Sequence, residues 1–154
     1  MKIAVIGAAE RTGRHAVEQA LARGDEAIAI ARAPEKIGLR HNRLTPARAE
    51  VRDRDQLAAA IGGADALISA LGLEAIGPLY ADMRRMKAIL GKSRANWVAL
   101  RAPDSSASRP SGHIGWTRSQ SPMGRTITYH DLATALLDSL TRDDFYGHAA
   151  YVAN

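Results

Sequence analysis

Lys2-Ile3-Ala4-Val5-Ile6-Gly7-Ala8-Ala9-Glu10-Arg11-Thr12-Gly13 is the stretch on which the fold turns. The apolar run Lys2–Ile6 reads as a buried strand. A glycine turn follows it. Arg11–Ala22 then reads as a helix, because Ala16, Val17, Ala20 and Leu21 fall on one face at helical spacing. Such a joint presents the N–H groups and positive dipole end of a helix to a dinucleotide pyrophosphate. Gly7 and Gly13 occupy the outer positions of a G-x-x-G-x-x-G loop, and Glu10 occupies the middle one. Two consequences are expected there. A carboxylate a few ångströms from a phosphate is repelled by about 1 kcal/mol in water and several times that in a lower-dielectric site. A lost glycine also restricts φ.

Working outward, Gly24 ends the first helix and Glu26–Ala31 reads as a second strand stopped by Pro34. Residues 35–49 read as irregular, with a weak third strand around Ala49–Val51. Asp53–Ile61 reads as a short helix with Asp53 as its cap, and Ala64–Leu71 as a fourth strand. A helix from Tyr80 to Leu90, a strand at Asn96–Arg101 and a long Ser/Pro/Gly-rich loop at Asp104–Pro122 follow. Within that loop, His113–Arg118 is a candidate strand. His130–Leu140 reads as a helix and Ala149–Ala153 as a closing strand. Alternating strands and helices predict a parallel sheet with right-handed crossovers.

Composition narrows the function classes. The 154 residues make one domain, and 46% hydrophobic content is enough for a core. With no cysteine there is no disulfide, thiol nucleophile or thiolate metal site. No apolar run has membrane-spanning length and the first residues lack a signal-peptide pattern, so a cytoplasmic protein without membrane contact is expected. The net charge of +5 comes mostly from dispersed arginines rather than a basic tract with aromatics. A polyanionic cofactor accounts for that charge better than nucleic acid does.

The segments Lys2–Gly13, Ala31–Lys36, Val51–Leu57, Gly63–Gly72, Tyr80–Leu90, Trp97–Pro103, Ile127–Leu137 and Gly147–Asn154 together resemble atypical short-chain dehydrogenase/reductases that bind NAD(P)H. Within these they are closest to the group of biliverdin-IXβ/flavin reductases and NmrA-like proteins. The resemblance covers most of the chain in order. It implies a three-layer Rossmann-like α/β fold with a mostly parallel sheet. It also implies that the chain is shortened, since one strand and one helix of the family have no counterpart between Leu71 and Tyr80. A sheet without that strand closes the gap or leaves an edge open, and open edges pair. A homodimer is therefore expected.

The candidate cofactor residues are Gly7, Ala9, Glu10, Arg11, Thr12 and Gly13 in the loop, with Arg32, Glu50, Val51, Ala70, Leu71 and Gly72 beyond the following strands. Arg32 stands where an acidic residue would hold the ribose hydroxyls of NAD, and an arginine there suits the 2′-phosphate of NADP. Arg11 is a candidate second guanidinium for that phosphate. By the resemblance, Glu50 and Val51 flank the adenine. Tyr80 and Arg84 have Tyr-x-x-x-Lys spacing, but arginine cannot take up the proton-transfer role of the lysine. His113 and His130 stand too far apart in sequence to suggest a metal pair, His130-Asp131 is a structural dipeptide of the family, and Ser105, Ser106, Ser108 and Ser111 lack a nucleophile-elbow motif. No catalytic side chain emerges.

Three functions remain open: an NADPH-dependent oxidoreductase acting on a small molecule, a dinucleotide-binding sensor or regulator, or a lyase or isomerase using the altered cleft with Glu10 as a base.

Overall fold

The computed structural model describes residues 1–71, 96–118 and 124–154. The expected helix at Tyr80–Leu90, the Tyr80/Arg84 pair and Gly72 lie outside the described residues. The first half is built as expected. Strands β1 (Lys2–Ile6), β2 (Glu26–Ala31), β3 (Leu44–Arg48) and β4 (Ala66–Ser69) form a parallel sheet in the order β3-β2-β1-β4. Helices α1 (Arg11–Ala22) and α2 (Arg54–Ile61) cover opposite faces of it.

The alternation Ala27-Ile28-Ala29-Ile30-Ala31 explains how one strand serves both faces. Its alanines join Ile3, Val5 and Ile68 beneath α1, where small side chains let the helix approach. Its isoleucines join Ala4 and Ile6 beneath α2, which packs through Leu57, Ala60 and Ile61. Ile3, Val5 and Ile30 are almost wholly buried, and each such side chain contributes about 1.5–3 kcal/mol.

Two expectations about this half are corrected. The third strand lies at Leu44–Arg48, inside the stretch read as irregular, and not at Ala49–Val51. Pro46 and the weak apolar pattern conceal it. Proline is tolerated because β3 is an edge strand paired only to β2, in the register Ala27↔Leu44 through Ala31↔Arg48. A 3₁₀ turn at Pro34–Ile37 also forms within that stretch and buries Ile37. At α2 the cap is as expected, with Asp53 Oδ1 accepting the N–H groups of Asp55 and Gln56 at 3.1 and 3.0 Å.

The second half is built mostly from short strands. Strands β5 (Val98–Arg101), β9 (His148–Ala153) and β7 (Gly115–Thr117) form one sheet in the order β5-β9-β7, with β5 parallel and β7 antiparallel to β9. Strands β6 (Asp104–Ser106) and β8 (Thr126–Thr128) form a parallel pair. Both are three polar-rich residues long, and β6 lies in the segment read as loop. Helix α3 (Tyr129–Asp138) begins one residue before its expected start and passes into a 3₁₀ turn at Ser139–Thr141. Among the described residues no strand pairs with the outer edge of β4.

Helix α3 joins the halves. Ala133 and Leu137 enter the core under α1, while Ala135 packs with Ile127 and Val152 of the second half. It runs parallel to α1, and the contacts climb both helices together. Arg11 donates to the Tyr129 hydroxyl at 3.0 Å, and His15 meets His130. Gln19 bonds the His130 carbonyl and the Thr134 hydroxyl at 3.0 and 2.8 Å, and Arg23 pairs with Asp138 at 2.8 Å.

The start of α3 is held by a buried knot. Thr128 caps the helix by accepting the Asp131 N–H at 3.0 Å, and its hydroxyl donates to Asp131 Oδ2 at 2.9 Å. The Ser111 N–H reaches the same oxygen at 2.9 Å. Burial opposes ionisation of Asp131, but hydrogen bonds from Ser111, Thr128 and Gly112 outweigh it and hold the carboxyl below its ordinary range.

Candidate functional site

The parallel register brings the carboxyl ends of β1–β4 to one edge, where open α/β sheets bind ligands. Gly7 leaves β1 with φ +78°, a left-handed conformation that favours glycine. Both the Gly7 and Ala8 N–H groups donate to the Ile30 carbonyl, at 3.1 and 3.2 Å. This pins the loop across the end of β2. A Cβ on Gly13 would fall on the Gly7 carbonyl oxygen and within 3.1 Å of the Ala8 Cα. Only glycine permits this approach of α1 to the strand exit. Arg11, Thr12 and Gly13 form the first turn of α1, whose N–H groups have no acceptor within the helix.

Glu10 corrects one of the two expectations placed on it. It is the cap residue of α1, with φ −82° and ψ 164°, and its N–H bonds the Gly7 carbonyl at 2.9 Å. Any residue adopts this extended backbone, so replacing glycine here costs no strain. What remains is the side chain. It is exposed and makes no capping bond. Neither neighbouring arginine neutralises it in an ion pair. Arg14 pairs with Glu18 at 3.1 Å, and Arg11 lies over the Tyr129 ring, 5.3 Å from its centroid. Tyr129 was missed as a member of this region. Only the parallel packing of α1 and α3 places it beside the loop.

The other candidates line the same edge. Arg32 follows β2, is exposed, and its guanidinium makes no ion pair among the described residues. Its carbonyl accepts from Arg48 at 2.6 Å, and Arg48 also pairs with Glu35 at 3.0 Å. The backbone that aims Arg32 is therefore braced while its charge stays available. Glu50 and Val51 follow β3, both exposed, and the Glu50 N–H bonds the Gln56 side chain at 3.2 Å. Ala70 follows β4, with its N–H on the Ile6 carbonyl at 3.0 Å. Its own carbonyl would lie 3.2 Å from a Cβ on Gly7, and Leu71 beside it is 49% exposed. Ala9 is exposed on the loop and Thr12 is half-buried behind it.

Among the described residues no group of three or more His, Asp or Glu side chains is placed to hold a metal, and no helix is long and apolar enough to cross a membrane. A cavity of about 390 Å³ opens at the amino edge of the sheet, away from the glycine loop, lined by Met1, Lys2, Glu26, Arg43 and Asp65. Its charges are internally paired: the Met1 ammonium with Asp25, Lys2 with Glu26, and Arg43 on the carbonyls of Gly24 and Leu21. That pairing leaves little to recognise a ligand.

Residues 7–75 match the model of the NAD(P)H-binding family, a stretch that spans the loop and the edge just described. None of the curated proteins matches the chain by sequence. Among solved structures, the chain is similar to a Rossmann-fold NAD(P)-binding family protein from Shigella flexneri (TM-score 0.84, 16% identity, 99% of this chain and 93% of that one). It is also similar to the oxidoreductase ylbE from Lactococcus lactis (TM-score 0.81, 14% identity, 100% and 91%). A third is a wide-type short-chain dehydrogenase/reductase from Veillonella parvula in complex with NADP (TM-score 0.77, 13% identity, 99% and 94%). At these identities the likeness establishes the three-layer, mostly parallel Rossmann-like fold.

Proposed function

We propose that this chain, built on an NAD(P)H-binding domain with a Rossmann-like fold, is an oxidoreductase that uses NADPH to reduce a small molecule. The carrying observation is the single edge on which a left-handed Gly7, the close-packed Gly13, the open first turn of α1 and the unpaired Arg32 guanidinium come together. These residues fit the cofactor. The N–H groups at the start of α1 face a pyrophosphate, and Arg32 offers a planar fork to a 2′-phosphate. Glu50 and Val51 stand beyond β3 on the adenosine side. Ala70 and Leu71 stand beyond β4, where backbone and an apolar side chain border the ribose and nicotinamide. The bound cofactor supplies hydride; the chain binds and orients it and shapes the substrate cleft.

One observation favours a second reading. The exposed Glu10 carboxylate at the cap of α1 competes with phosphate for the same helix end. A dinucleotide sensor without turnover needs only the binding edge.

Titration with NADPH and NADH, followed by nicotinamide fluorescence and calorimetry, tests both readings. Tighter binding of NADPH than NADH, with turnover of a flavin or quinone acceptor, is the expected outcome. Binding without turnover selects the sensor. Absence of binding of either nucleotide overturns both.

A further inference from the structure

The α1–α3 seam brings together two histidines that are far apart in sequence. Their ring centroids lie 5.6 Å apart with 63° between the planes. Both side chains are accessible, at 39% for His15 and 43% for His130. Each ring turns its Nδ1 toward a carboxylate. His15 Nδ1 lies 3.3 Å from Glu18 Oε2, and His130 Nδ1 lies 3.8 Å from Asp131 Oδ1.

The two carboxylates are held by other groups. Glu18 uses its other oxygen for Arg14, and the polar contacts of Asp131 with Thr128 and Ser111 all fall on Oδ2. His130 Nδ1 is buried without a hydrogen-bond partner, so the facing Oδ1 is the acceptor nearest to hand. With Nδ1 turned toward a carboxylate, Nε2 is the ring nitrogen left to face a metal. Histidines that bind metals are oriented by outer-shell carboxylates in this way.

We propose that His15 and His130 form a two-histidine site for a borderline divalent transition metal, Zn²⁺, Ni²⁺ or Cu²⁺, that clamps α1 to α3. Imidazole nitrogen suits these ions. The spacing suits them too. With metal–nitrogen bonds of about 2.0–2.1 Å and a tetrahedral angle, two imidazole centroids sit roughly 5 Å apart. The observed centroids, at 5.6 Å, are a few tenths of an ångström wider. The rungs on either side, Arg11–Tyr129 and Gln19–Thr134, already fix the helices relative to each other, so binding orders little beyond the rings. Glu18 and Asp131 offset the charge of the ion. Water completes the coordination, which makes the site weaker than a closed four-ligand one.

The test uses the full chain and ZnCl₂, NiCl₂ and CuCl₂ in a non-coordinating buffer, read by thermal melting and calorimetry. Wild type is expected to bind one ion and to melt higher with metal, reversibly with a chelator, as mass action on the folded state requires. His15→Asn and His130→Asn, both at accessible rings, should each lower the affinity at least about tenfold, since one of two protein ligands is lost. His148→Asn, on β9, should not. Cu²⁺ electron paramagnetic resonance should show two equivalent nitrogens in wild type and one in each variant. No binding by wild type overturns the proposal, as does binding that survives His15→Asn or His130→Asn undiminished.

Discussion

Residues 1–71 and residues 96–154 reach their strand pairings by different routes. In the first half β1, β2 and β3 follow one another as neighbours, and β4 returns beside β1, so that Ile3 pairs with Ala66. In the second half β5 and β7 flank β9 and β6 pairs with β8, and all of these but β9 are only three or four residues long. The first half rests on alternation within its strands. The second rests on a polar knot at Thr128, Asp131 and Ser111, and on Asn154, whose side chain reaches the Thr128 N–H and the His113 carbonyl. Longer alternating strands carry their own apolar signal. Short polar strands do not, and side-chain hydrogen bonds hold the chain around them in place.

The largest effect should come from Gly13→Ala. The added Cβ meets Gly7 backbone that is itself pinned to β2, so neither side can give way. A loss of about 3 kcal/mol or more is expected, at the upper end of overpacking costs, read by urea unfolding of both halves together. Retention of wild-type stability would show that the joint is not what organises the first half. Asp131→Ala should cost about 2 kcal/mol, because it strands the Ser111 N–H and the Thr128 hydroxyl in a buried site. Hydrogen exchange should rise around Ser111 and the start of α3 while β1 and β2 stay protected. Uniform loss of protection would erase the contrast between the halves.

Smaller effects concern ligand and surface. Arg32→Ala should weaken NADPH binding about tenfold and leave NADH nearly unchanged, as removal of one charge-assisted contact does. Equal weakening of both would place Arg32 elsewhere than at the 2′-phosphate. Glu10→Gly should tighten NADPH binding about threefold, the scale of one carboxylate at a helix N-terminus. Unchanged affinity would show that the side chain points away from the phosphates. Last, the edge of β4 that no strand covers among the described residues, beside Leu67 at 46% and Leu71 at 49% exposure, predicts pairing with a second copy. Light scattering should find a dimer that Leu67→Lys disperses, and a monomeric wild type would rule that out.

Much of the first half was legible because each reading needed only a local signal. The Lys2–Ile6 strand, the α1 face and the Asp53 cap stood in the sequence within two residues of their observed places. The strand at Leu44–Arg48 was not, since its reason to be extended is the free edge of β2 rather than its own residues. The strands β6 and β8 were hidden for the same reason. Within the candidate site, Gly7, Gly13 and Arg32 were legible by motif and position. Tyr129 carried no signal, because it joins the loop only when α3 lies against α1.

By itself the sequence determined the strand–glycine–helix joint, the two-sided β2 and the basic residue at its end, because periodicity and turn chemistry act over a few residues. Only the tertiary structure decided three things: that Glu10 sits in unstrained extended backbone, that Arg11 leans on Tyr129, and that His15 meets His130. The two side-chain contacts depend on the parallel packing of two helices separated by most of the chain, and no local pattern encodes that distance.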